Sequence, residues 1–176
     1  MIFPWKPKRA ALVYPVRGLR GLVPRTAVLG PWVRPNGNVR VFPRGWDQEA
    51  AAFEPQAIAA EWAQIEALLG GPIPSLTHAI LVLAHRPEER LTAAQRNRVW
   101  AAFGVPVFEQ ILDKSGLLLA GECEAHAGLH IESAKLRVPA AWLDTGVCGC
   151  GRGTPRLKSR PEAEEDPARA IAAYAR

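Results

Sequence analysis

The sequence predicts an α/β fold, in which a βαβ unit plus hairpins form a mixed sheet carrying two main helices. Three observations support this. Ala79-Ile-Leu-Val-Leu-Ala84 is a continuous apolar run bounded by turn residues, as in a strand buried on both faces of a parallel sheet. Thr92 and Gln95 form a capping box ahead of a helix from Ala93 to Phe103, which Gly104 stops. Val105–Leu112 and Leu117–Cys123 then read as strands on either side of the turn Asp113-Lys-Ser-Gly116.

The remaining elements follow in chain order. Residues 1–30 are rich in Pro, Gly and Arg, with short apolar runs at Ala11–Val16 and Thr26–Leu29 that read as short strands. Trp32-Val-Arg, Pro35-Asn-Gly-Asn38 and Val39-Arg-Val-Phe42 read as a hairpin, because Asn-Gly tolerates positive φ at the turn centre. Val39 and Val41 share one face of its second strand, with Arg40 and Phe42 on the other. Pro55 is expected to open a helix whose apolar stripe is Ile58, Trp62, Ile65 and Leu68/Leu69, ended by Gly70-Gly71-Pro72. The helix after Thr92 is expected to bury Val99, Trp100 and Phe103. Gly128–Glu132 and Leu136–Val138 read as short strands. The Glu-, Arg- and Ala-rich tail holds either one loose helix from Pro167 or no fixed structure.

Composition bounds the function. The 176 residues fit one domain with tails, divided as a basic Pro/Gly-rich β segment at 1–46, an α/β domain at 47–157 and a charged tail at 158–176. No apolar run approaches the ~20 residues of a membrane span. Pro4, Lys6 and Pro7 interrupt any signal-peptide core, so the expectation is a cytoplasmic protein without membrane partners. Residues 1–46 contain nine Lys or Arg and no Asp or Glu, and they account for the whole net charge of +5. A solvated basic face is the plain reading, and nucleic acid or an acidic protein is the partner it would otherwise attract.

All three cysteines and two of the four histidines fall in Glu122-Cys-Glu-Ala-His-Ala-Gly-Leu-His-Ile131 and Cys148-Gly-Cys-Gly-Arg152. An odd cysteine count is a poor disulfide framework, whereas clustered Cys and His point to metal. Cys123, His130, Cys148 and Cys150 offer four ligands of the kind that tetrahedral zinc takes in structural sites, with no open position. His126 is a rival to His130. Glycines around Cys148 and Cys150 let the backbone turn tightly and aim N–H groups at the sulfurs. The alternative without metal is three free thiols, with Cys123 a small buried hydrophobe. A redox role for Cys148 and Cys150 lacks the usual strand-to-helix context. The sequence has no Gly-x-Ser-x-Gly, no phosphate-binding loop with Lys and no His-Glu-x-x-His. His78 and His85 read as surface caps flanking the buried strand, and Asp113 and Glu122 as turn or edge residues.

Residues from about 78 to 157 resemble the C-terminal part of the large domain of adenylate-forming enzymes of the phenylacetate–CoA ligase type. The strand Ala79–Ala84, Leu91-Thr-Ala-Ala-Gln-Arg-Asn-Arg98 and Phe103-Gly-Val-Pro-Val-Phe108 are similar to that family's strand–helix–strand. Ala120-Gly-Glu-Cys-Glu124 resembles its Ala-x-Glu-Cys-Glu, Gly128-Leu-His-Ile131 its Gly-Leu-His-Ile, and Cys148-Gly-Cys-Gly-Arg152 its Cys-x-Cys-Gly-Arg. The resemblance implies a structural zinc held by Cys123, His130, Cys148 and Cys150, choosing His130 over His126. It also sets Glu109-Gln-Ile-Leu-Asp113 where the family has the nucleotide-contacting Tyr-Gly-x-Thr/Ser-Glu. Only the acid survives, making Asp113 the one candidate cofactor-binding residue. The family's phosphate loop, ribose-binding Asp and catalytic Lys domain have no counterpart in the sequence.

The expectation is therefore a non-catalytic, zinc-stabilised α/β protein derived from a CoA-ligase-like scaffold, with no catalytic residues assigned. It would act as an interaction or accessory module for a protein partner that the sequence does not identify. One alternative is a truncated acyl-activating enzyme completed by a partner chain. Another is nucleic-acid binding through the basic segment.

Overall fold

The computed structural model describes residues 9–15 and 23–158. The end of the Ala11–Val16 run and the tail helix expected from Pro167 lie outside the described residues. A nine-stranded mixed sheet organises the rest. In chain order its strands are β1 (Thr26–Leu29), β2 (Val39–Phe42), β3 (Ala57–Ala60), β4 (Ala79–Ala84), β5 (Val107–Leu112), β6 (Leu118–Glu122), β7 (Leu129–Ile131), β8 (Leu143–Asp144) and β9 (Arg156–Leu157). The helices are α1 (Gln48–Ala52), α2 (Trp62–Leu68) and α3 (Ala93–Phe103). The spatial order is β2-β1-β3-β4-β5-β6-β7-β9-β8. The first five strands in this order are parallel, and the rest join antiparallel.

The parallel half is covered on both faces, which is why β4 lacks alternation. Ile80 and Val82 face one core with Ala27, Leu29, Ile58 and Ala60, where Ala50 of α1, Ile65 of α2 and Val99 of α3 pack. Leu81 and Leu83 face the other with Val28, Val39, Ala59 and Phe108, where Leu12, Tyr14 and Trp32 pack. Strands β1 and β2 of the basic segment thus belong to the same sheet as the βαβ unit. That unit is present as expected: β4, α3 and β5 form the parallel pair and crossover, and β5 and β6 form the hairpin. Thr92 accepts from Gln95 N, Gln95 answers in kind, and Gly104 closes α3 at φ +63°.

Four expectations are corrected. First, residues 32–42 are not a hairpin: β2 lies parallel to β1, and Arg34 instead bridges Ala11. The turn chemistry is real, since Asn36 Oδ1 accepts from Asn38 N and Val39 N. It redirects the chain, and the fully buried β1 outcompetes residues 32–34 as partner because pairing there buries both faces. Val39 and Val41 still share one face, with Phe42 on the other. Second, Pro55 opens no helix. Ala57–Ala60 forms β3 between β1 and β4, with Ile58 fully buried, and the helix begins only at Trp62. The small side chains of Ala57, Ala59 and Ala60 suit a strand enclosed on both sides. Asp47 instead caps the unexpected α1, accepting from Ala50 N at 2.9 Å, which makes three helices rather than two. Third, α3 buries Val99 and half-buries Phe103, but Trp100 points outward at 56% exposure. Fourth, Leu136–Val138 is not a strand. Both side chains pack on the antiparallel end without pairing, and β8 follows a 3-10 turn at Ala140–Trp142.

Gly128 is where the antiparallel end is tightest. Its φ is +106°, and a β-carbon there would lie 2.2 Å from the Leu157 carbonyl oxygen. Only glycine lets the chain enter β7 while β9 lies alongside. Gly128→Ala is expected to destabilise the protein by roughly 2–4 kcal/mol in denaturant titration. Unchanged stability would contradict this packing.

Candidate metal centre

The antiparallel end gathers the cysteines and histidines. Cys123 directly follows β6. His130 is the middle residue of β7, fully buried, and pairs with Gly121 of β6 and Arg156 of β9. Cys148 and Cys150 sit on the loop from β8 to β9. Their turn is closed by Gly151 N donating to the Cys148 carbonyl at 2.9 Å, with Gly151 at φ +83°. A second turn, His126 N to the Cys123 carbonyl at 3.0 Å, carries the chain from Cys123 toward β7.

The Sγ atoms of Cys123, Cys148 and Cys150 and a ring nitrogen of His130 all lie within 4.8 Å of one another. Cys123 Sγ and Cys148 Sγ are 3.7 Å apart, and Cys150 Sγ and His130 Nε2 are 3.4 Å apart. A disulfide needs about 2.05 Å, so these sulfurs are not bonded. The four residues are close enough to bind one metal ion. His130 Nδ1 lies 2.7 Å from Thr154 Oγ1, which fixes the ring with Nε2 toward the sulfurs. A backbone hydrogen bond from Cys150, with further contacts to Cys150, His130 and Cys123, brings the Cys148 thiol down to about 6. Burial, with the neighbouring Cys150 and Cys148 groups, pushes Cys123 up to about 12. A cation bound here would displace the protons that remain on the thiols, so its binding would release protons.

His126, the rival ligand, lies outside this group of four. Its Nδ1 meets Glu122 Oε1 at 2.9 Å, its ring stacks on Phe108 at 4.7 Å, and its φ is +49°. Asp113 organises the β5–β6 turn: Oδ1 accepts from Ser115 N (2.8 Å), Ser115 Oγ (2.6 Å) and Leu117 N (3.0 Å). Burial opposes its ionisation, but these bonds from Ser115 and Leu117 hold it below the usual carboxylate range. His78 is exposed and bonded to Thr77, and His85 Nδ1 reaches the Leu112 carbonyl at 3.1 Å, both at the ends of β4.

Sequence reasoning missed one feature beside the cluster. Glu109 of β5 and Glu122 of β6 are buried and share Arg96 of α3, at 2.7 and 3.0 Å. Glu109 Oε1 also accepts from Leu91 N at 2.6 Å, and Glu122 Oε2 from Glu109 N at 2.9 Å. These groups, with Arg90 and His126, line a cavity of about 250 Å³. Burial raises the pKa of Glu109, against the pull of Leu91 N–H and Arg96. The one signal in the sequence was an acid inside the apolar strand Val107–Leu112. Its partner Arg96 lies 13 residues upstream on a helix, where no local pattern marks it.

Fold and cluster together define an α/β protein with a candidate metal centre at the antiparallel end of its sheet. No family model matches the sequence, and no curated protein matches it. Among solved structures the chain is similar to 2-hydroxyisobutyryl-CoA ligase. The match to its open conformation, in complex with 2-HIB-AMP and CoA, has a TM-score of 0.55 and 12% identity, over 78% of this chain and 45% of that one. The match to the same ligase in its thioesterification state has a TM-score of 0.54 and 12% identity, over 79% and 43%. At this identity the likeness is one of fold, and the chain spans less than half the length of the ligase chains. It agrees with the partial resemblance to CoA ligases read from residues 78–157.

If Thr154 orients the His130 ring, Thr154→Val is expected to weaken metal binding roughly 10- to 100-fold, and Thr154→Ser to retain it. Competition against a chromophoric chelator measures this. Equal affinities in all three proteins would remove the role of Thr154.

Proposed function

We propose that the cluster is a structural zinc site, and that the protein is a non-catalytic, zinc-stabilised α/β module of CoA-ligase-like fold that works as an interaction or accessory piece. The carrying observation is the spacing of the four donor atoms. Zinc bonds of about 2.3 Å to sulfur and 2.05 Å to nitrogen, arranged tetrahedrally, require S···S near 3.8 Å and S···N near 3.6 Å. Two of the six separations, 3.7 and 3.4 Å, lie close to those edges, and all six fall within 4.8 Å. Three soft thiolates and an imidazole favour zinc over magnesium or calcium, and four protein donors leave no position for substrate.

The region that resembles the ligase nucleotide motif supports a non-catalytic reading. Glu109 is locked to Arg96 and Leu91 N–H, and Asp113 Oδ1 is committed to its own turn. An accessory role is the reading we attach to a scaffold in which the Glu109 carboxylate and Asp113 Oδ1 already have intramolecular partners.

Thermal denaturation tests both halves. Stripping the metal with a strong chelator is expected to lower Tm by roughly 10 °C or more, with recovery on adding zinc. ATP with magnesium, CoA and aryl acids are expected to give no shift. A ligand at 100 times its Kd would stabilise by about 2.7 kcal/mol, so stabilisation by ATP or CoA would overturn the non-catalytic reading.

A further inference from the structure

Arg156 is a charged residue that is only 5% exposed, and it lies on the strand beside His130. His130 of β7 and Arg156 of β9 are directly opposed, and opposed residues in a ladder send their side chains to the same face. The guanidinium therefore projects on the side of the His130 imidazole. Its Nη2 donates to Asp144 Oδ2 at 2.5 Å and reaches the Gly146 carbonyl at 3.4 Å, which anchors it to the loop leading into Cys148. Its Nε is buried and has no hydrogen-bond partner among the described residues.

Charge counting gives this placement a purpose. Three thiolates on one divalent ion leave a net charge of −1, and burying that charge uncompensated is unfavourable. Arg152, which follows Cys150 by two residues, is paired with Glu132 at 2.6 Å and is 41% exposed at its side chain. The Arg156 side chain is 6% exposed, whereas its partner Asp144 is 43% exposed, so solvent screens the carboxylate more than the guanidinium.

Resting on the zinc reading above, we propose that Arg156 is the charge-compensating residue of the metal centre. Its buried, otherwise unpartnered Nε–H is the donor available to a thiolate of the loaded centre, and its charge holds the thiolates on the ion. Arginine suits this task because it stays charged and offers several donors in a fixed plane.

The test uses the full chain loaded with Co²⁺, read by chelator competition and by the sulfur-to-cobalt charge-transfer band. Arg156→Gln is expected to weaken affinity roughly 10- to 100-fold. It is also expected to move the band to lower energy, because a sulfur that loses a hydrogen bond gives up electron density more readily. Arg156→Lys keeps the charge but not the planar fork, so most of the affinity should return while the band stays shifted. An arginine that only supports the fold would change stability without moving the band. Affinities within about twofold of wild type and an unmoved band overturn the proposal. If the Gln variant does not fold, the band of the Lys variant decides: shifted supports the proposal, unmoved overturns it. A wild-type chain that takes up no metal overturns the zinc reading and this role with it. A metal-binding wild type with unresponsive variants overturns only the role of Arg156.

Discussion

Four donors, Cys123, His130, Cys148 and Cys150, converge on one point at the antiparallel end of the sheet. β7 has three residues, and β8 and β9 have two each, so their ladders supply few hydrogen bonds. The apolar cluster behind them is small, centred on Ala84, Ile111, Leu119, Ala120, Leu129 and Leu157. Strands this short do not hold themselves in place. A cation joining Cys123 after β6, His130 in β7 and the Cys148–Cys150 loop before β9 would replace the missing contacts with bonds. Binding energy of this kind is folding energy, because the unfolded chain has no preformed site.

The parallel half rests on a different principle. β4 is buried along its whole length, with helices on one face and Leu12, Tyr14 and Trp32 on the other. Hydrophobic burial alone accounts for its order. Between the halves lies the Glu109–Arg96–Glu122 network, which ties α3 to β5 and β6 at the strand that leads into Cys123. Two buried acids on one arginine are expensive to desolvate, so their value is better read as fixing where α3 meets the sheet than as net stability.

The legible parts of the sequence were those where one residue type has one physical use. The capping box at Thr92 and Gln95, the stop at Gly104, the unbroken apolar run of β4 and the Cys/His set all came through. Errors arose where local chemistry was compatible with two partners. Asn36-Gly37 makes a turn, but no local rule says that the strand after it pairs with Thr26–Leu29 rather than with residues 32–34. Ile58, Trp62 and Ile65 have helical spacing, yet Ile58 sits in a strand because a sheet position was open between β1 and β4. The second layer around the cluster was invisible for a related reason. Thr154, Arg156 and Arg96 meet their partners only through strand pairing or helix docking.

Extended X-ray absorption at the zinc edge, on the purified full chain with its metal content measured, tests the central claim most directly. The account predicts about one zinc per chain with three sulfurs near 2.3 Å and one nitrogen near 2.05 Å, and no further oxygen ligand. A metal-free folded chain would contradict it, as would a zinc with fewer than three sulfurs and a bound water.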